Sequence, residues 1–166
     1  MAGIADPESV AEHSFRTALL GYVLASLEGA DPMKTATMCL FHDTPEARFN
    51  DVHKLAQRYL DVEASGQQAH AEQVERLPAK IAAHVVSLLN EYSEKQSPEA
   101  HIAHDADRLE CLFQAREYQV QGYVQVQEWI DDCRTGLNTS SARSLAEACL
   151  HIEPRQWWQG LKKLLR

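Results

Sequence analysis

A histidine and an aspartate stand side by side at positions 42 and 43, directly after an apolar run, and Glu46 follows three residues after the aspartate. Neutral imidazole and carboxylate together are suitable ligands for a divalent cation such as manganese, cobalt, iron, nickel or zinc. Adjacent residues within a helix project about 100° apart, so His42 and Asp43 would diverge in mid-helix. At the end of a helix the two side chains can turn toward one point.

Pro45 predicts such a helix end. Because a proline disfavours helical geometry in the residue before it, one helix should end near Asp43 and another should begin at Pro45. Thr44 would then be the N-cap of the second helix, with Glu46 in its first turn.

Two further groups of the same chemistry lie on other predicted helices. His13 recurs with Thr17, Leu20, Leu24 and Leu27 at steps of three and four, so it faces the core; the plainer interpretation is a hydrogen-bonded core histidine. A later helix carries Asp105 and Asp107. Asp105 lies nearer the apolar stripe and Asp107 faces a side of small residues, so periodicity leaves the choice between them open. Two imidazoles and two carboxylates from three helices can hold one divalent ion, with positions open for water and substrate.

The helices that must position these groups have recognisable start signals. A capping residue followed by proline occurs at Asp6-Pro7, Asp31-Pro32 and Ser97-Pro98. The predicted helices are about 7–28, 33–43, a short helix within 45–60, one opening at Pro78, 98–121, 124–136, 140–151 and 154–165. Residues 61–73 fit an exposed helix or a partly ordered connection. No convincing strand is present, so the predicted fold class is all-α.

Composition narrows the function classes. A chain of 166 residues is typical of one domain, and a net charge of −8 argues against a general basic surface for a nucleic acid polymer. The four cysteines are far apart without a CxxC pair, which indicates a reducing compartment and a cytoplasmic protein. No apolar run approaches about 18 residues, so we expect no membrane span. The first ten residues include Asp6 and Glu8 and do not resemble a signal peptide.

Three short motifs in this order resemble a known family. The stretches 9–14 (SVAEHS), 41–46 (FHDTPE) and 106–109 (ADRL) resemble the HD-domain metal-dependent phosphohydrolases, and most of all the small bacterial 5′-deoxynucleotidases. The resemblance covers roughly residues 5–120. It implies an HD-domain helical bundle of about six or seven helices, with residues 1–166 as a single domain, an HD core at about 5–120 and C-terminal helices at 121–166.

The resemblance also implies roles for individual residues. The metal ligands of the family fall on four positions, which are His13, His42, Asp43 and Asp107. The resemblance thus selects Asp107 where periodicity leaned to Asp105. The family's active-site acid falls on Glu46, and a second acid near the sugar and the attacking water falls on Asp51. One divalent ion is expected, which can be Mn, Co, Fe, Ni, Zn or Mg.

The chain departs from the family pattern at two places. Relatives usually have glycine before the second acid, where this chain has Asn50, so the loop is expected to differ. Relatives also carry an extra helix before the EHS motif with an Arg-Trp pair that contacts the nucleotide. The twelve residues before His13 contain no counterpart, so we expect a partner subunit to supply that surface or the surface to be lost.

The implied activity is hydrolysis of a phosphate monoester, a (deoxy)nucleoside 5′-monophosphate. The alternatives are a phosphodiesterase or signalling-nucleotide hydrolase on the same helices, and a non-catalytic metal-binding HD interaction domain. Glu46 and Asp51 favour an enzyme, because a purely structural metal site needs neither. Lys54, His53 or Arg16 are candidates to balance phosphate charge.

The C-terminal segment is the predicted self-association surface. It contains Trp157, Trp158, Leu161, Leu164 and Leu165. This apolar content, on a chain without the usual first helix of the family, predicts a homodimer.

Overall fold

The computed structural model describes residues 2–159 and 161. This part of the chain contains α-helices and 3-10 turns but no strand, which confirms the all-α class. The α-helices are α1 (Val10–Glu28), α2 (Pro32–Phe41), α3 (Glu46–Phe49), α4 (Lys54–Gln57), α5 (Val62–Val74), α6 (Ala79–Glu94), α7 (Pro98–Val120), α8 (Gln127–Thr135) and α9 (Ser140–His151). Seven of them have nine or more residues, in line with the predicted number, while α3 and α4 are single turns.

The first helix begins later than predicted. Ser9, not Asp6, is its N-cap: the Ser9 hydroxyl accepts the Glu12 backbone N–H, and the Glu12 carboxylate accepts the Ser9 backbone N–H, which forms a capping box. The reciprocal pair satisfies two backbone donors, whereas an Asp6 cap would satisfy one. Gly29 ends α1 in the left-handed conformation (φ 77°), as the sequence predicted.

The turn after α2 also differs from the prediction. Asp31 caps α2 as expected, but the Thr44 hydroxyl donates to the Phe41 carbonyl and does not cap a following helix. α3 begins at Glu46 without a side-chain cap. Thr44 therefore closes the end of the preceding segment, which folds His42 and Asp43 back toward the bundle.

Helix α7 is the centre of the bundle and packs against α1, α2, α6, α8 and α9. One face of α7 presents the small side chains of Ala100, Ala103 and Ala106, all fully buried, beside Leu109 and Leu112. Small residues let neighbouring helices approach closely on several sides of one helix. This arrangement explains how polar residues of α7 reach the interior between the apolar ones.

Helices α1 and α2 cross at very close range. A Cβ atom added at Gly21 would lie 2.7 Å from the Sγ atom of Cys39, which is fully buried. Only glycine fits at this crossing, because a methyl group would have to displace a packed sulfur atom. The close crossing fixes the distance between α1, which carries His13, and α2, which ends directly before His42.

The predicted helix at 154–165 lies partly outside the described residues. Within the described part the segment forms only a 3-10 turn at Gln156–Trp158; residues 160 and 162–166 are not described. No helix of the described chain combines the length and apolar character needed to cross a membrane.

Candidate metal centre

Three segments of the bundle bring four candidate ligands to one point. His13 Nε2 on α1 lies 3.3 Å from Asp43 Oδ2 and 3.3 Å from Asp107 Oδ1 on α7. His42 Nε2, directly after α2, lies 3.1 Å from Asp43 Oδ2 and 3.8 Å from Asp107 Oδ1. The two imidazole ring centres are 5.4 Å apart. The structure therefore brings together all four residues of the predicted ligand set.

These separations suit a divalent cation. Nitrogen and oxygen ligands lie about 2.0–2.2 Å from such an ion, so neighbouring ligands in one coordination sphere are about 3–3.5 Å apart. Three of the four measured separations, between 3.1 and 3.3 Å, fall in that range. Two imidazoles and two carboxylates also match the donor preference of transition metals.

The hydrogen bond of His42 leaves one of its nitrogens available. His42 Nδ1 lies 2.6 Å from the carbonyl oxygen of Cys39, and a carbonyl can only accept, so Nδ1 carries the hydrogen. The neutral ring then has its lone pair on Nε2. That atom is buried and faces the carboxylates of Asp43 and Asp107 at ion-pair distance without hydrogen-bond geometry to either, as expected of a nitrogen that can bind a metal ion.

His13 is oriented by a residue that the sequence analysis missed. Its Nδ1 lies 2.5 Å from Oε2 of Glu110, which is fully buried on α7. The other oxygen of Glu110 accepts from Arg16 Nε at 2.7 Å, and Arg16 also contacts Glu117 and Gln114. A carboxylate that accepts from one nitrogen of a histidine directs the other nitrogen to the metal position. The available signal was spacing, because Glu110 lies one turn after Asp107 and Arg16 one turn after His13.

The charges of the four groups depend on one another. Burial lowers the pKa of His13, but Asp107, Asp43 and Glu110 outweigh it and raise that pKa to about 12. Burial also opposes charge on His42, yet Asp107 and Asp43 raise its pKa to about 10. Burial raises the pKa of Asp43, whereas His13 and His42 lower it to about 2. Without a metal the imidazoles are thus the counter-cations of the carboxylates, and a divalent ion must displace their protons.

Asp105 has a structural role. Its fully buried carboxylate accepts hydrogen bonds from the backbone N–H and side-chain amide of Asn138 and from the backbone N–H of Thr139. Asp105 therefore anchors the loop that leads into α9. Periodicity was right that Asp105 points inward, but it points to a different part of the interior from Asp107.

Glu46 lies beside the four groups and half-buried. Burial is the main cause that raises its pKa, to about 8, and the negative charges of Asp43 and Asp51 add to it. Asp51 is more exposed than Glu46, and partial burial together with the charge of Asp43 raises its pKa. A carboxyl group whose pKa lies near neutrality is suited to carry protons.

Asn50, which stands where relatives usually have glycine, has a backbone conformation that favours glycine. Its φ is 62° and its ψ is 166°, a backbone conformation that is nearly exclusive to glycine and costs other residues about 1–3 kcal/mol. In this conformation of Asn50, the following Asp51 lines the cavity beside the four groups.

The three residues that were candidates to balance phosphate charge do not line the cavities beside the four groups. Arg16 is engaged with Glu110 and Glu117, Lys54 is exposed and 3.4 Å from Asp132, and the exposed His53 caps α4. The two cavities that reach the four groups are lined by no lysine or arginine among the described residues. None of the three residues therefore places its positive charge in these cavities.

Comparison with known proteins gives consistent results. A family model described as "HD domain" matches residues 1–149. A protein of Dictyostelium discoideum named 5′-deoxynucleotidase HDDC2 is 27% identical, with 87% of this chain and 83% of that protein covered. A solved structure of a conserved hypothetical protein from Pyrococcus furiosus has a TM-score of 0.74 at 28% identity, covering 91% of this chain and 87% of that one. A solved structure from Magnetospirillum magnetotacticum, described as a predicted metal-dependent phosphohydrolase, has a TM-score of 0.72 and covers 91% of this chain and 80% of that one; at 23% identity it supports the fold alone.

The two neighbouring aspartates of α7 should respond oppositely to substitution. We expect Asp107→Ala to abolish metal binding, because it removes an oxygen that faces both imidazoles. Asp105→Ala should keep the metal but lower the free energy of unfolding by about 2 kcal/mol or more, since three hydrogen bonds lose their acceptor. Metal analysis and thermal melts of the two variants check this. Asp105→Asn provides a milder version if Asp105→Ala folds poorly, and added metal should raise the melting temperature of both Asp105 variants but not that of Asp107→Ala.

Glu110→Gln should weaken metal binding about 10- to 100-fold, as found when carboxylates that orient metal-binding histidines are lost. Glu117→Gln is the matched control, because Glu117 contacts the same arginine from a partly exposed position and does not reach His13. Calorimetric titration with Mn²⁺ measures the affinities, and circular dichroism checks that both variants fold. Equal affinities of Glu110→Gln and the parent would refute the positioning role.

Proposed function

This chain belongs to the HD-domain family. We propose that it is a metal-dependent phosphohydrolase whose substrate is a phosphate monoester, a nucleoside or deoxynucleoside 5′-monophosphate. The observation that carries the proposal is the position of Glu46 and Asp51, two carboxyl groups that line one cavity together with three of the candidate metal ligands. A site that only stabilises a fold needs no such proton carriers. The substrate class is supported by the name of the Dictyostelium relative.

We assign one divalent ion to His13, His42, Asp43 and Asp107. The separations of 3.1–3.8 Å and the unbonded Nε2 of His42 support this ligand set. When bound, such an ion lowers the pKa of a coordinated water toward neutrality and withdraws charge from a phosphate oxygen. Imidazole and carboxylate ligands are compatible with Mn, Co, Fe, Ni, Zn or Mg.

Glu46 and Asp51 are the proposed proton carriers. Both line the cavity that opens over the four donors, so both face the space where a phosphate would lie. Asp43 is held between the two imidazoles and is not free to exchange protons. Burial and the neighbouring charges of Asp43 and Asp51 raise the pKa of Glu46 to about 8, which makes it suited to donate a proton near neutral pH.

We further propose that residues 1–166 form one domain and that it works in the cytoplasm. Contacts of α9 with both α1 and α7 support a single domain. The backbone N–H of Ser141 donates to Glu28, which adds a polar contact between α9 and α1. The four cysteines are free thiols, which supports a reducing compartment.

A homodimer is proposed through the outer face of α1. Five large apolar side chains are exposed on this face at helical spacing: Phe15, Leu19, Tyr22, Val23 and Leu27. The stretch from Thr17 to Leu27 contains no charged residue, although the chain has a net charge of −8. An uncharged apolar stripe lets two copies of an acidic protein pair about a two-fold axis without opposing like charges.

Replacement of Glu46 by glutamine tests the catalytic proposal. Glutamine keeps the size and hydrogen bonding of Glu46 but cannot transfer the proton, so turnover of a deoxynucleoside monophosphate should fall by about two orders of magnitude or more. Metal content and fold should be unchanged. Near-normal turnover would exclude Glu46 and make Asp51 the carrier.

The parent protein should be screened with mono-, di- and cyclic nucleotides and several divalent metals, by phosphate release. Hydrolysis of 5′-monophosphates is expected. Preference for a cyclic or diester substrate would replace the monoester proposal with a phosphodiesterase, and metal binding without any hydrolysis would contradict the proposed activity.

The dimer proposal predicts a dimer in sedimentation at micromolar concentration and a monomer for Leu19→Glu, which introduces a charge at the centre of the stripe. Trp157→Ser is the control, because Trp157 is exposed on the C-terminal segment from which the sequence predicted self-association. A parent monomer refutes the dimer. Loss of the dimer in Trp157→Ser alone would move the interface to that segment.

A further inference from the structure

Two cysteine side chains meet beside the metal centre. Cys111 lies on α7 and Cys133 on α8, and their thiols are hydrogen-bond partners. Cys133 is buried, whereas Cys111 is partly exposed. The Sγ atom of Cys111 also lies 4.0 Å from Oδ1 of Asp107, one of the candidate metal ligands. A pair of thiols is therefore next to the centre but takes no part in the proposed ligand set.

The packing of α7 against the segment 127–139 holds the two cysteines opposite one another. This segment runs antiparallel to α7, as shown by three contacts: Asp105 with Asn138, Arg108 with Gly136, and Gln119 with Gln127. Cys111 lies about one turn after Arg108, and Cys133 lies about one turn before Gly136. The register of the two segments thus places the cysteines face to face, independently of the contact between their thiols. A disulfide needs such facing positions, with Cβ atoms about 3.5–4.5 Å apart.

Cys133 has the features of a reactive thiol. The hydrogen bond from Cys111 lowers the pKa of Cys133; burial opposes this effect, and the positive charges of Lys54 and Arg108 support it. The thiolate is the form that attacks an oxidant, so a lowered pKa favours reaction at Cys133. Cys111 is then in place to attack the oxidised sulfur.

The turn of α7 that carries Cys111 also shapes the metal centre. Asp107 lies one turn before Cys111, and Glu110, which contacts His13 Nδ1, directly precedes it. Candidate ligand atoms of His13, Asp107 and Cys111 all lie within 4.8 Å of one another. A displacement of this turn toward α8 would therefore move one ligand and the residue that orients another.

We propose that Cys111 and Cys133 form a reversible disulfide in the presence of a peroxide, and that this disulfide weakens metal binding at the adjacent centre. Disulfides in reducing compartments are usually transient and redox-sensing, which agrees with the free thiols of this structure. The effect on the metal rests on the ligand set proposed above, whereas the disulfide itself does not. The proposal adds redox control to the proposed function.

The oxidation balances with hydrogen peroxide as the oxidant. The sulfur of Cys133 attacks one peroxide oxygen, the O–O bond breaks, and Cys133 becomes a sulfenic acid while the other oxygen leaves as water. The sulfur of Cys111 then attacks the sulfur of Cys133; an S–S bond forms, and the S–O bond breaks with loss of a second water. The two thiols together lose two protons and two electrons, and one peroxide is reduced to two waters.

Two effects of the disulfide should weaken metal binding. It removes the S–H donor of Cys111, whose sulfur lies 4.0 Å from Asp107 Oδ1. It also draws that sulfur toward α8, and the turn that carries Asp107 and Glu110 shifts with it. Changes in groups that orient metal ligands typically cost about 10- to 100-fold in affinity, so we expect about tenfold weaker binding of Mn²⁺.

Treatment of the purified full chain with a small molar excess of hydrogen peroxide tests the proposal. Free thiols, counted after denaturation, should fall from four to two, and reduction with dithiothreitol should restore four. Trypsin identifies the linked pair, because Arg48, Arg116 and Arg134 separate all four cysteines in the sequence. After removal of peroxide and bound metal, calorimetric titration with Mn²⁺ should show about tenfold weaker binding by the oxidised protein, reversed by dithiothreitol.

Cys133→Ser and Cys149→Ser are matched variants, because Cys149 is a partly exposed thiol on α9 that lies outside the proposed pair. Both should bind Mn²⁺ like the parent before oxidation, since neither residue is a proposed ligand. After peroxide, Cys133→Ser should keep its affinity, and Cys149→Ser should lose affinity as the parent does. Circular dichroism checks that both variants fold, and Cys133→Ala replaces Cys133→Ser if a buried hydroxyl destabilises α8.

The contrary outcomes separate the parts of the proposal. An oxidised parent without a peptide that links Cys111 to Cys133 refutes the disulfide. A disulfide with unchanged affinity for Mn²⁺, or an equal loss of affinity in Cys133→Ser, refutes the control of metal binding. A reduced parent that binds no Mn²⁺ contradicts the ligand set, and with it that control. None of these measurements uses a substrate, so their failure is distinct from failure of the proposed hydrolase activity.

Discussion

The structure depends on the close approach of two part-buried carboxylates, Asp43 and Asp107, to two buried imidazoles where α1, α7 and the segment after α2 meet. Like charges so close together are costly in an interior unless cations offset them. His13 and His42 supply that compensation, because the neighbouring carboxylates raise the pKa of both imidazoles and favour their protonated forms. A divalent ion can replace the two protons with charge at one point. The bundle is thus arranged so that metal binding relieves an electrostatic conflict built into its core.

Caps and proline positions predicted the helices well where local chemistry decides the boundary. Asp31, Ser97 and Gly29 are the terminal residues that the sequence indicated. Errors arose where several local solutions compete: Ser9 with Glu12 prevails over Asp6 with Pro7 because the capping box satisfies two donors. At Thr44 the hydroxyl turned back to Phe41, a choice that depends on how the following single-turn helix packs and cannot be seen in the local sequence.

The candidate site shows a similar division. Motif resemblance located four donors and two acids, and the structure brings them together, whereas periodicity alone leaned to Asp105 and left the choice between Asp105 and Asp107 open. Both aspartates of α7 are directed inward because this helix is covered on several sides, so a single apolar stripe does not describe it. Glu110 was missed for the same reason: a fully buried glutamate is unusual unless it is paired, and its partners His13 and Arg16 are about a hundred residues earlier in the chain. Contacts between residues so far apart in the chain are set by the fold and cannot be predicted from local spacing.

Arg16 shows how the fold changes the meaning of a residue. From sequence it was a candidate for phosphate binding, yet in the bundle its guanidinium is directed at Glu110, Gln114 and Glu117. Had it faced the substrate, Glu110 would remain a buried carboxylate with only His13 to offset it, and His13 would be held more tightly as a cation. By sharing Glu110, Arg16 reduces the hold of that carboxylate on the proton of His13. The arginine therefore supports the position of His13 through Glu110 and does not line the cavities beside the four candidate ligands.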